Sequence, residues 1–245
     1  VIGSGSWWLT VSIWLALSWK KVALIEKWHI GWDCTNFGCV PSKALIDIAK
    51  KWETIWVKNI LEEVRNRRQK IRDEESKEEL EKHWLTLING FASFKDCHTI
   101  LINGKSEITA KNIVLSTWSH PIKLEIEWLN KDDLLTNEEI FEVKDDIKNL
   151  VVIWWWYIWC ELAESFWNIW VNTTIIQRNN YLIPREEKDA SETLKNIFEK
   201  KNIKVETNTI IKKVEWNKLI VTDKDWKNKR EIVFDKILIA LWREA

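Results

Sequence analysis

The chain has 245 residues with 37 Lys and Arg against 37 Asp and Glu, so its zero formal charge gives no reason to expect nucleic acid or an anionic membrane as a partner. Four cysteines without a regular framework argue against a secreted disulfide scaffold, and no apolar run is long enough to span a bilayer. The composition is unusual in its 6 Gly and 20 Trp, because a chain of this size ordinarily carries roughly 17 Gly.

The first elements predict a βαβ nucleotide-binding unit. Val1-Ile2 reads as the end of a buried strand, an apolar helix follows over about Leu9 to Ser18, and Val22 to Glu26 is a second buried strand. The turn reads Gly3-Ser4-Gly5-Ser6-Trp7-Trp8, a G-x-G-x-x-W form of the phosphate-binding fingerprint. Glu26 lies where an acidic side chain can hold a ribose hydroxyl. Because the chain has no Met and starts inside a strand, we expect residues to precede Val1.

A cysteine pair follows the second strand, in Gly31-Trp32-Asp33-Cys34-Thr35-Asn36-Phe37-Gly38-Cys39-Val40-Pro41-Ser42-Lys43. The spacing of Cys34 and Cys39 suits a disulfide that closes about one turn at the start of a helix. Beside a nucleotide-binding unit, this predicts the redox-active disulfide of a flavoenzyme. The alternative is half of a zinc site, but Cys97 and Cys160 stand alone, and Cys160 is predicted to be a packed, apolar-like residue. We therefore predict no metal site.

The middle of the chain predicts two helices and then short strands. The helices run over Ala44 to about Trp56 and Asn59 to about Lys82, and the charge density of the second indicates a solvated face. Short strands are predicted over Leu85 to Leu115, with hairpin signals at Lys95-Asp96 and Asn103-Gly104. Pro121 to Asn149 reads mostly as linker, with a short helix over Asn137 to Phe141.

A second βαβ unit begins at Leu150. The predicted elements are a strand over Leu150 to Ile153, a turn at Trp154-Trp155-Trp156-Tyr157-Ile158-Trp159, a helix over Cys160 to Phe166, a strand over Val171 to Gln177, a helix over Glu187 to Lys201, irregular strands over Val205 to Arg230 and a strand over Ile232 to Leu241. The sequence therefore predicts an α/β protein with two Rossmann-like three-layer domains, at residues 1–145 and 146–245.

Several tryptophans occupy positions where such folds need glycine. Trp154, Trp156 and Trp159 stand at the three glycine positions of G-x-G-x-x-G, where an indole is expected to fill the phosphate site or clash with the strand. The same substitution is seen at Trp8, Trp32, Trp118, Trp226 and Trp242. Our hypothesis is that a codon meaning glycine in the source genome, such as a reassigned UGA, has been read as tryptophan. The alternative is that the tryptophans are real and the chain is a decayed, non-binding relative.

Read with glycine at these positions, the motifs become G-S-G-S-G-G, G-G-D-C-T-N-F-G-C-V-P-S-K, S-T-G-S-H-P, G-G-G-Y-I-G-C-E and A-L-G-R. In combination they closely resemble the class I pyridine nucleotide–disulfide oxidoreductases, which include dihydrolipoamide dehydrogenase, glutathione reductase and mercuric reductase. The resemblance spans the whole chain and implies FAD, a nicotinamide cofactor and a cytoplasmic homodimer when full length. It also implies a C-terminal dimerisation domain, expected to be missing here, with a His-Glu acid/base pair that matches none of this chain's four histidines.

The resemblance also implies roles for individual residues. Cys39 would be the thiolate next to the flavin, and Cys34 the thiol that attacks the substrate. Lys43 would lie by flavin N5, paired with Glu161, and Glu26 would hold the adenosine ribose, although it could be an ordinary charge at a strand end. The other residues expected to contact FAD are Gly3, Gly5, Ser6, Trp7, Trp8, Lys27, Trp32, Asp33, Phe91, Ala92, Thr117 and Trp118. Those expected to contact the nicotinamide cofactor are Trp154, Trp156, Tyr157, Ile158, Trp159, Gln177 and Arg178.

The choice between NADPH and NADH can be read from the end of the second unit's second strand. The offset from Gly3 to Glu26, applied from Trp154, reaches Gln177, which is neutral and followed by Arg178. A carboxylate that would bind the NAD 2′-hydroxyl is therefore missing, which favours NADPH. The resulting interpretation is an enzyme that passes electrons from NAD(P)H through FAD and the disulfide to a disulfide, dithiol or metal-ion substrate. The alternatives are a non-catalytic redox-sensing relative and a diaphorase that does not need the disulfide.

Overall fold

The computed structural model describes residues 1–31, 33–51, 56–117, 119–121, 129–153, 157–239 and 243–244. The helices are Ser6–Leu17 (α1), Asp33–Phe37 (α2), Cys39–Lys51 (α3), Val57–Glu74 (α4), Lys77–Glu81 (α5), Tyr157–Asn168 (α6) and Lys188–Lys200 (α7), with 3₁₀ turns at Lys131–Asp133 and Ile140–Glu142. The strands are Val22–Glu26 (β1), Leu85–Asn89 (β2), Ala92–Phe94 (β3), Thr99–Ile102 (β4), Ser106–Thr109 (β5), His120–Pro121 (β6), Leu134–Leu135 (β7), Asn149–Ile153 (β8), Asn172–Ile176 (β9), Lys204–Glu206 (β10), Thr209–Glu215 (β11), Lys218–Asp223 (β12), Arg230–Val233 (β13), Lys236–Ile239 (β14) and Arg243–Glu244 (β15).

The chain divides into two compact units, and the predicted α/β class is confirmed. Unit 1 contains Val1–Pro41 and Asn66–His120, and unit 2 contains Ser42–Arg65 and Pro121–Glu244. Each unit has parallel strands and helices. The assignment of residues 1–145 to FAD and 146–245 to NAD(P) stays a prediction. Within the described ranges, no helix is both long enough and apolar enough to cross a membrane.

In unit 1, several loops that follow strands lie at the same edge of a small parallel sheet. Strand β1 pairs with β2 in parallel, so Glu26 lies opposite Asn89. Ile2 forms parallel bridges to Ile25 and to Leu115. Because parallel strands end at the same edge, the residues that follow Ile2, β1, β2 and Leu115 gather there. Helix α1 covers this sheet through an apolar cluster of Leu9, Ala16, Leu24, Leu80, Leu85 and Leu87, and β3, β4 and β5 form a separate antiparallel sheet.

Unit 2 has a five-stranded parallel sheet in the order β10-β9-β8-β14-β7. Helix α6 connects β8 to β9 and α7 connects β9 to β10, which gives the alternation expected of a nucleotide-binding fold. Its core is dominated by fully buried aliphatic and phenylalanine side chains, among them Phe141, Phe166, Phe198, Leu150 and Leu162. Strands β11, β12 and β13 form an antiparallel sheet, which corresponds to the irregular strands predicted there.

The helices beside the turns begin earlier than the hydrophobic pattern predicted. Helix α1 starts at Ser6 rather than Leu9, with Gly5 as its N-cap and the Leu9 N–H bonded to the Gly5 carbonyl at 2.9 Å. Helix α3 starts at Cys39 rather than Ala44, and Pro41 fits its first turn because no backbone N–H is needed there. Helix α6 starts at Tyr157 rather than Cys160. A helix start is set by capping and backbone hydrogen bonds rather than by apolar side chains, so hydrophobic periodicity does not locate it.

Other predicted boundaries are also corrected. The single helix predicted over Asn59 to Lys82 is two helices, because Ser76 caps α5 by accepting a hydrogen bond from the Glu79 N–H. The predicted helix over Asn137 to Phe141 is only the 3₁₀ turn Ile140–Glu142. The predicted last strand is interrupted between Val233 and Lys236, and its predicted end at residues 240–241 lies outside the described residues.

Five tryptophans lie in turns with the left-handed backbone conformation. They are Trp19 (φ 62°), Trp84 (φ 66°), Trp170 (φ 68°), Trp216 (φ 56°) and Trp226 (φ 66°), and each is at least 69% exposed. Among the described residues, every other non-glycine with positive φ is asparagine. Asparagine tolerates this conformation, whereas a bulky side chain in it is an outlier. The expectation of positive φ at Trp226 is confirmed, and four tryptophans outside the predicted motifs share the feature.

Candidate functional site

The predicted phosphate turn of unit 1 requires glycine at Gly3. Its φ is 96°, and a Cβ there would lie 2.2 Å from the Ser116 carbonyl oxygen and 3.3 Å from the Thr117 nitrogen. The backbones of the two segments therefore approach each other as only glycine allows. At Gly5 a Cβ would lie 3.3 Å from the Ser116 Oγ. Because α1 has no acidic residue in its first turn, its positive dipole end faces no carboxylate from that turn.

Glu26 is fixed at the same edge by unit 1's own backbone. One carboxylate oxygen accepts hydrogen bonds from the Ser4 N–H at 2.8 Å and the Ser4 hydroxyl at 2.9 Å. The other accepts from the Trp28 N–H at 3.0 Å. The structure thus orients the predicted ribose-binding carboxylate and reveals Ser4, 1% exposed, as the residue that holds it. Sequence reasoning passed over Ser4 because it is a variable position of the G-x-G-x-x-G pattern.

Other predicted FAD contacts lie around this edge. The Gly90 N–H donates to the Glu26 carbonyl at 2.9 Å. The next residue, Phe91, therefore lies beside the end of β1, and its side chain is 58% exposed. The Phe91 N–H donates to the Asn103 side chain at 2.8 Å, and Ala92 begins β3. Lys27 places its ammonium 4.5 Å from the ring of Trp28. Ser6, Trp7 and Trp8 belong to the first turn of α1 rather than to a loop, while Trp32 and Trp118 lie outside the described residues.

The two predicted redox cysteines form a disulfide. Cys34 lies in α2, Cys39 is the first residue of α3, and their Cα atoms are 4.7 Å apart. Gly38, between the two helices, permits this approach, since a Cβ there would lie 3.1 Å from the Asp33 carbonyl oxygen and 3.1 Å from the Cys34 Cα. Asp33 opens α2, where its charge suits the positive end of the helix. The bond closes a loop of one helical turn, as the spacing predicted.

Lys43 lies one turn after Cys39 in α3 and forms the predicted ion pair with Glu161 of α6. Both partners belong to unit 2. The Lys43 side chain is 62% exposed and that of Glu161 is 36% exposed. Solvent reaches this pair, so it contributes little to the free energy of folding. The position of Lys43 beside a flavin stays a prediction.

At the second nucleotide turn, Trp154 and Trp156 lie outside the described residues. Tyr157, at the start of α6, donates a hydrogen bond to the Glu186 carboxylate, which raises the pKa of the phenol. Ile158 is 52% exposed. Trp159 is 7% exposed and packs in the core of unit 2. The turn at residues 154–156 lies outside the described residues, so the expectation of a clash at this position stays a prediction.

Gln177 follows β9 and is fully buried. Its amide nitrogen donates to the Leu182 carbonyl at 3.2 Å, and its amide oxygen accepts from the Asn179 N–H at 3.0 Å. Glu26 makes the same contact with a backbone N–H two residues ahead, so the two strand ends are locally alike. Both amide atoms are therefore engaged inside unit 2, whereas the neighbouring Arg178 is exposed.

Cys97 and Cys160 are free cysteines in different environments. Cys97 is exposed in a hairpin turn, whereas Cys160 is buried in α6. Burial, with a smaller contribution from the Glu164 carboxylate, raises the pKa of Cys160 to about 12. This fits its predicted role as a packed residue. Across the described part of the chain, no group of three or more His, Cys, Asp or Glu side chains could hold a metal ion.

The interpretation of the charged helix as a solvated face is wrong for one side of α4. Arg68 is only 3% exposed, and Arg72 lies one turn further along the same side. Both donate hydrogen bonds to Asn36, one of the residues between Cys34 and Cys39. The available signal was periodicity, because Arg68 follows the buried Ile60, Leu61 and Val64 at helical spacing. A charge at a core position points to a buried polar contact.

The chain is similar over its whole length to a known protein family. A family model described as pyridine nucleotide-disulphide oxidoreductase matches residues 1–245. A mercuric reductase of Staphylococcus aureus is 28% identical over 261 residues, which cover 100% of this chain and 48% of that protein. A dihydrolipoyl dehydrogenase of Geobacillus stearothermophilus is 28% identical over 236 residues, covering 88% of this chain and 49% of that protein.

Solved structures show the same fold. The HOCl-induced flavoprotein disulfide reductase RclA from Escherichia coli matches with a TM-score of 0.88 at 22% identity. The match covers 100% of this chain and 56% of that one. The chain thus spans about half the length of the relatives it matches.

Proposed function

Because the chain belongs to the pyridine nucleotide-disulphide oxidoreductase family, we propose that it carries the FAD-linked redox centre of an NAD(P)H-dependent disulfide oxidoreductase. The observation that carries this proposal is the Cys34–Cys39 disulfide at the start of α3, followed one turn later by Lys43. A one-turn disulfide can open and close without unfolding the units around it. The structural disulfides of secreted proteins instead constrain long loops.

The edge of unit 1 fits the cofactor that the family implies. Gly3 allows close backbone approach, the N-terminus of α1 would face the pyrophosphate, and Glu26, fixed by Ser4, would accept from a ribose hydroxyl. Phe91, Ala92 and Thr117 would border the adenine and flavin ends. When bound, FAD would accept two electrons from the reduced nicotinamide and make them available to the disulfide.

Cys34 and Cys39 would then carry out the thiol–disulfide exchange with the substrate. Reduction breaks the Cys34–Cys39 bond and takes up two electrons, leaving Cys34 and Cys39 as thiol or thiolate groups. In our proposal the Cys34 thiolate attacks a substrate disulfide, which forms a mixed disulfide and releases one substrate thiolate. Cys39 then attacks Cys34, which re-forms the Cys34–Cys39 bond and releases the second substrate thiolate. The ammonium of Lys43, oriented by Glu161, supplies positive charge one helical turn from Cys39 and favours the thiolate there.

We propose NADPH as the preferred electron donor. The support is the neutral Gln177 where a carboxylate would select the 2′-hydroxyl of NADH, and the exposed Arg178 beside it, which suits a 2′-phosphate. The proposed substrate is a small or protein-bound disulfide or a soft metal ion, which the Cys34–Cys39 dithiol reduces, or a dithiol, which the Cys34–Cys39 disulfide oxidises with electrons passing in the reverse direction. The support is likeness to proteins named dihydrolipoyl dehydrogenase and mercuric reductase. We further propose that the full-length protein is a cytoplasmic homodimer.

The test is an anaerobic reduction of the flavin-loaded, full-length protein by NADPH and, separately, by NADH. Thiols at Cys34 and Cys39 are counted by alkylation and peptide mass spectrometry. We expect two new thiols per flavin and faster reduction by NADPH. Bound flavin with no new thiols would refute the redox-disulfide proposal, and unchanged substrate turnover in a Cys34→Ser variant would favour a diaphorase. A clear preference for NADH would overturn the assignment of Gln177 and Arg178.

A further inference from the structure

Two arginines of α4, Arg68 and Arg72, donate hydrogen bonds to Asn36, which lies between Cys34 and Cys39. The Arg68 Nη1 donates to the Asn36 carbonyl oxygen at 3.0 Å. The Arg72 Nε donates to the Asn36 side-chain oxygen at 2.6 Å. Asn36 also donates through its amide nitrogen to the Ile30 carbonyl at 3.4 Å. Both oxygens of Asn36 are thus bound to guanidinium groups that are more than 30 residues away along the chain, yet lie within unit 1.

These contacts are buried, so solvent does not replace them easily. Asn36 is 2% exposed, Arg68 is 3% exposed and Thr35 is 5% exposed. Burying a guanidinium is costly unless charge-assisted hydrogen bonds compensate for the lost hydration. The neighbouring Thr35 hydroxyl adds a longer hydrogen bond, at 3.4 Å, to Glu75, which follows α4. Two consecutive residues inside the disulfide loop therefore hydrogen-bond to α4 or to the residue directly after it.

The hydrogen bonds to Asn36 have their largest effect on the loop when the disulfide is reduced. Opening the bond consumes two electrons and two protons and yields two thiols, after which the loop from Cys34 to Cys39 is free to relax. A loop that relaxes separates the sulfurs and lowers their effective concentration for re-closing the bond. A loop held at Asn36 keeps the Cα atoms near their 4.7 Å separation. Holding the loop therefore stabilises the disulfide relative to the dithiol.

We propose that Arg68 and Arg72 are positioning residues that hold the Cys34–Cys39 loop in its disulfide geometry and so lower the reduction potential of this redox pair. Neither arginine needs to touch substrate or cofactor, because each acts through Asn36. The significance for catalysis rests on the proposed function. The effect on the thiol–disulfide equilibrium does not, since it can be measured without flavin turnover.

The test equilibrates the full-length protein with buffers of reduced and oxidised dithiothreitol and quantifies Cys34 and Cys39 by alkylation. The informative variant is Arg72→Gln, because Arg72 is only half-buried and its loss is less damaging than that of Arg68. We expect the equilibrium to move about tenfold towards the dithiol, which is a potential less negative by ~30 mV. Arg72→Lys, which keeps a cationic donor, should recover part of the shift.

The matched control is Arg65→Gln on the same helix. Arg65 donates to the Phe141 and Val143 carbonyls at 2.9 and 3.0 Å, within unit 2 and away from the disulfide loop. The Arg65→Gln variant should have a lower melting temperature but an unchanged Cys34–Cys39 reduction potential. A potential unchanged in Arg72→Gln, or shifted as far in Arg65→Gln, would overturn the proposal. Failure of NADPH to reduce the disulfide would instead count against the proposed function and leave this comparison intact.

Discussion

Lys43 and Glu161 form an ion pair although 118 residues of chain separate them. Lys43 lies one turn after the disulfide-bonded Cys39, and Glu161 lies in α6, which begins at the turn where a second nucleotide is predicted to bind. The pair thus connects the helix of the disulfide to the helix of the second nucleotide motif. A solvent-accessible pair of this kind contributes little to stability, so a variant that breaks it can test the proposed role of Lys43 in the reaction without unfolding the protein.

Replacing Glu161 should separate catalysis from stability. We expect Glu161→Gln to change the free energy of unfolding by less than about 1 kcal/mol. It should slow the NADPH-driven reduction of the disulfide by about tenfold, because Lys43 loses the charge-assisted hydrogen bond that orients it. Stopped-flow reduction of the full-length protein measures the rate, and urea unfolding measures the stability.

The chain offers a matched control for this variant. Lys51 and Asp47 form a 2.8 Å ion pair on the same helix as Lys43, with side chains 60% and 42% exposed. Asp47→Asn should have an equally small effect on stability and none on the reduction rate. Equal slowing in both variants would mean that general charge, rather than the position of Lys43, controls the reaction.

The sequence predicted the reactive residues of the site better than the residues that position them. Spacing gave the Cys34–Cys39 bond, and family likeness gave the partner of Lys43, because both depend on residues that recur in a recognisable order. Arg68 was missed because a charge-rich helix suggests exposure, and only tertiary packing brings its guanidinium onto Asn36. The early starts of α1 and α6 were missed for another reason, namely that cap residues are set by backbone hydrogen bonding rather than by apolar periodicity.

The four cysteines should react in a fixed order. With a pKa of about 12, roughly one Cys160 thiol in 10⁴ is ionised at pH 8, and burial restricts access further. We expect iodoacetamide to label Cys97 in the native protein, Cys34 and Cys39 only after mild reduction, and Cys160 only in denaturant. Peptide mass spectrometry identifies each site, and Cys97→Ser is the control that should remove native labelling. Labelling of Cys160 without denaturant would show that α6 opens readily.

Glu75 should make the stability of unit 1 depend on pH. Burial is the largest effect on its pKa and raises it, the Thr35 hydrogen bond lowers it, and the neighbouring Glu74 raises it. Because the folded state then binds the proton more tightly than the unfolded state, stability falls as pH rises above about 4.5 through the raised folded value. Glu75→Gln should therefore be more stable than the parent protein at pH 7 and equal to it near pH 4.

Melting temperatures measured at these two pH values test the effect. The control is Glu62→Gln, since Glu62 is an exposed carboxylate in α4, the helix that precedes Glu75, and should give no such pH-dependent gain. A Glu75→Gln variant that is less stable at pH 7 would mean that the ionised carboxylate holds Thr35 and the disulfide loop more strongly than its burial costs.

The left-handed tryptophans predict that glycine is the better residue at their positions. Trp216 has φ 56° and is 98% exposed, so its indole has few contacts to lose. A left-handed conformation costs a side-chain-bearing residue about 1 kcal/mol relative to glycine. We expect Trp216→Gly to stabilise the protein by about 1 kcal/mol. In contrast, Trp14→Gly, at a 73% exposed position inside α1, should destabilise it by about 0.5 kcal/mol because glycine weakens a helix.

This difference in sign separates backbone strain from a general benefit of removing exposed indoles, which would stabilise both variants. If the strain at Trp19, Trp84, Trp170, Trp216 and Trp226 has a genetic origin, the gene carries UGA at these positions and its host inserts glycine. Peptide mass spectrometry of the protein isolated from its own organism should then show glycine at all five. UGG codons, or tryptophan in those peptides, would instead mean that the chain tolerates five strained turns, and the phosphate turns would have to be reinterpreted with indoles in place.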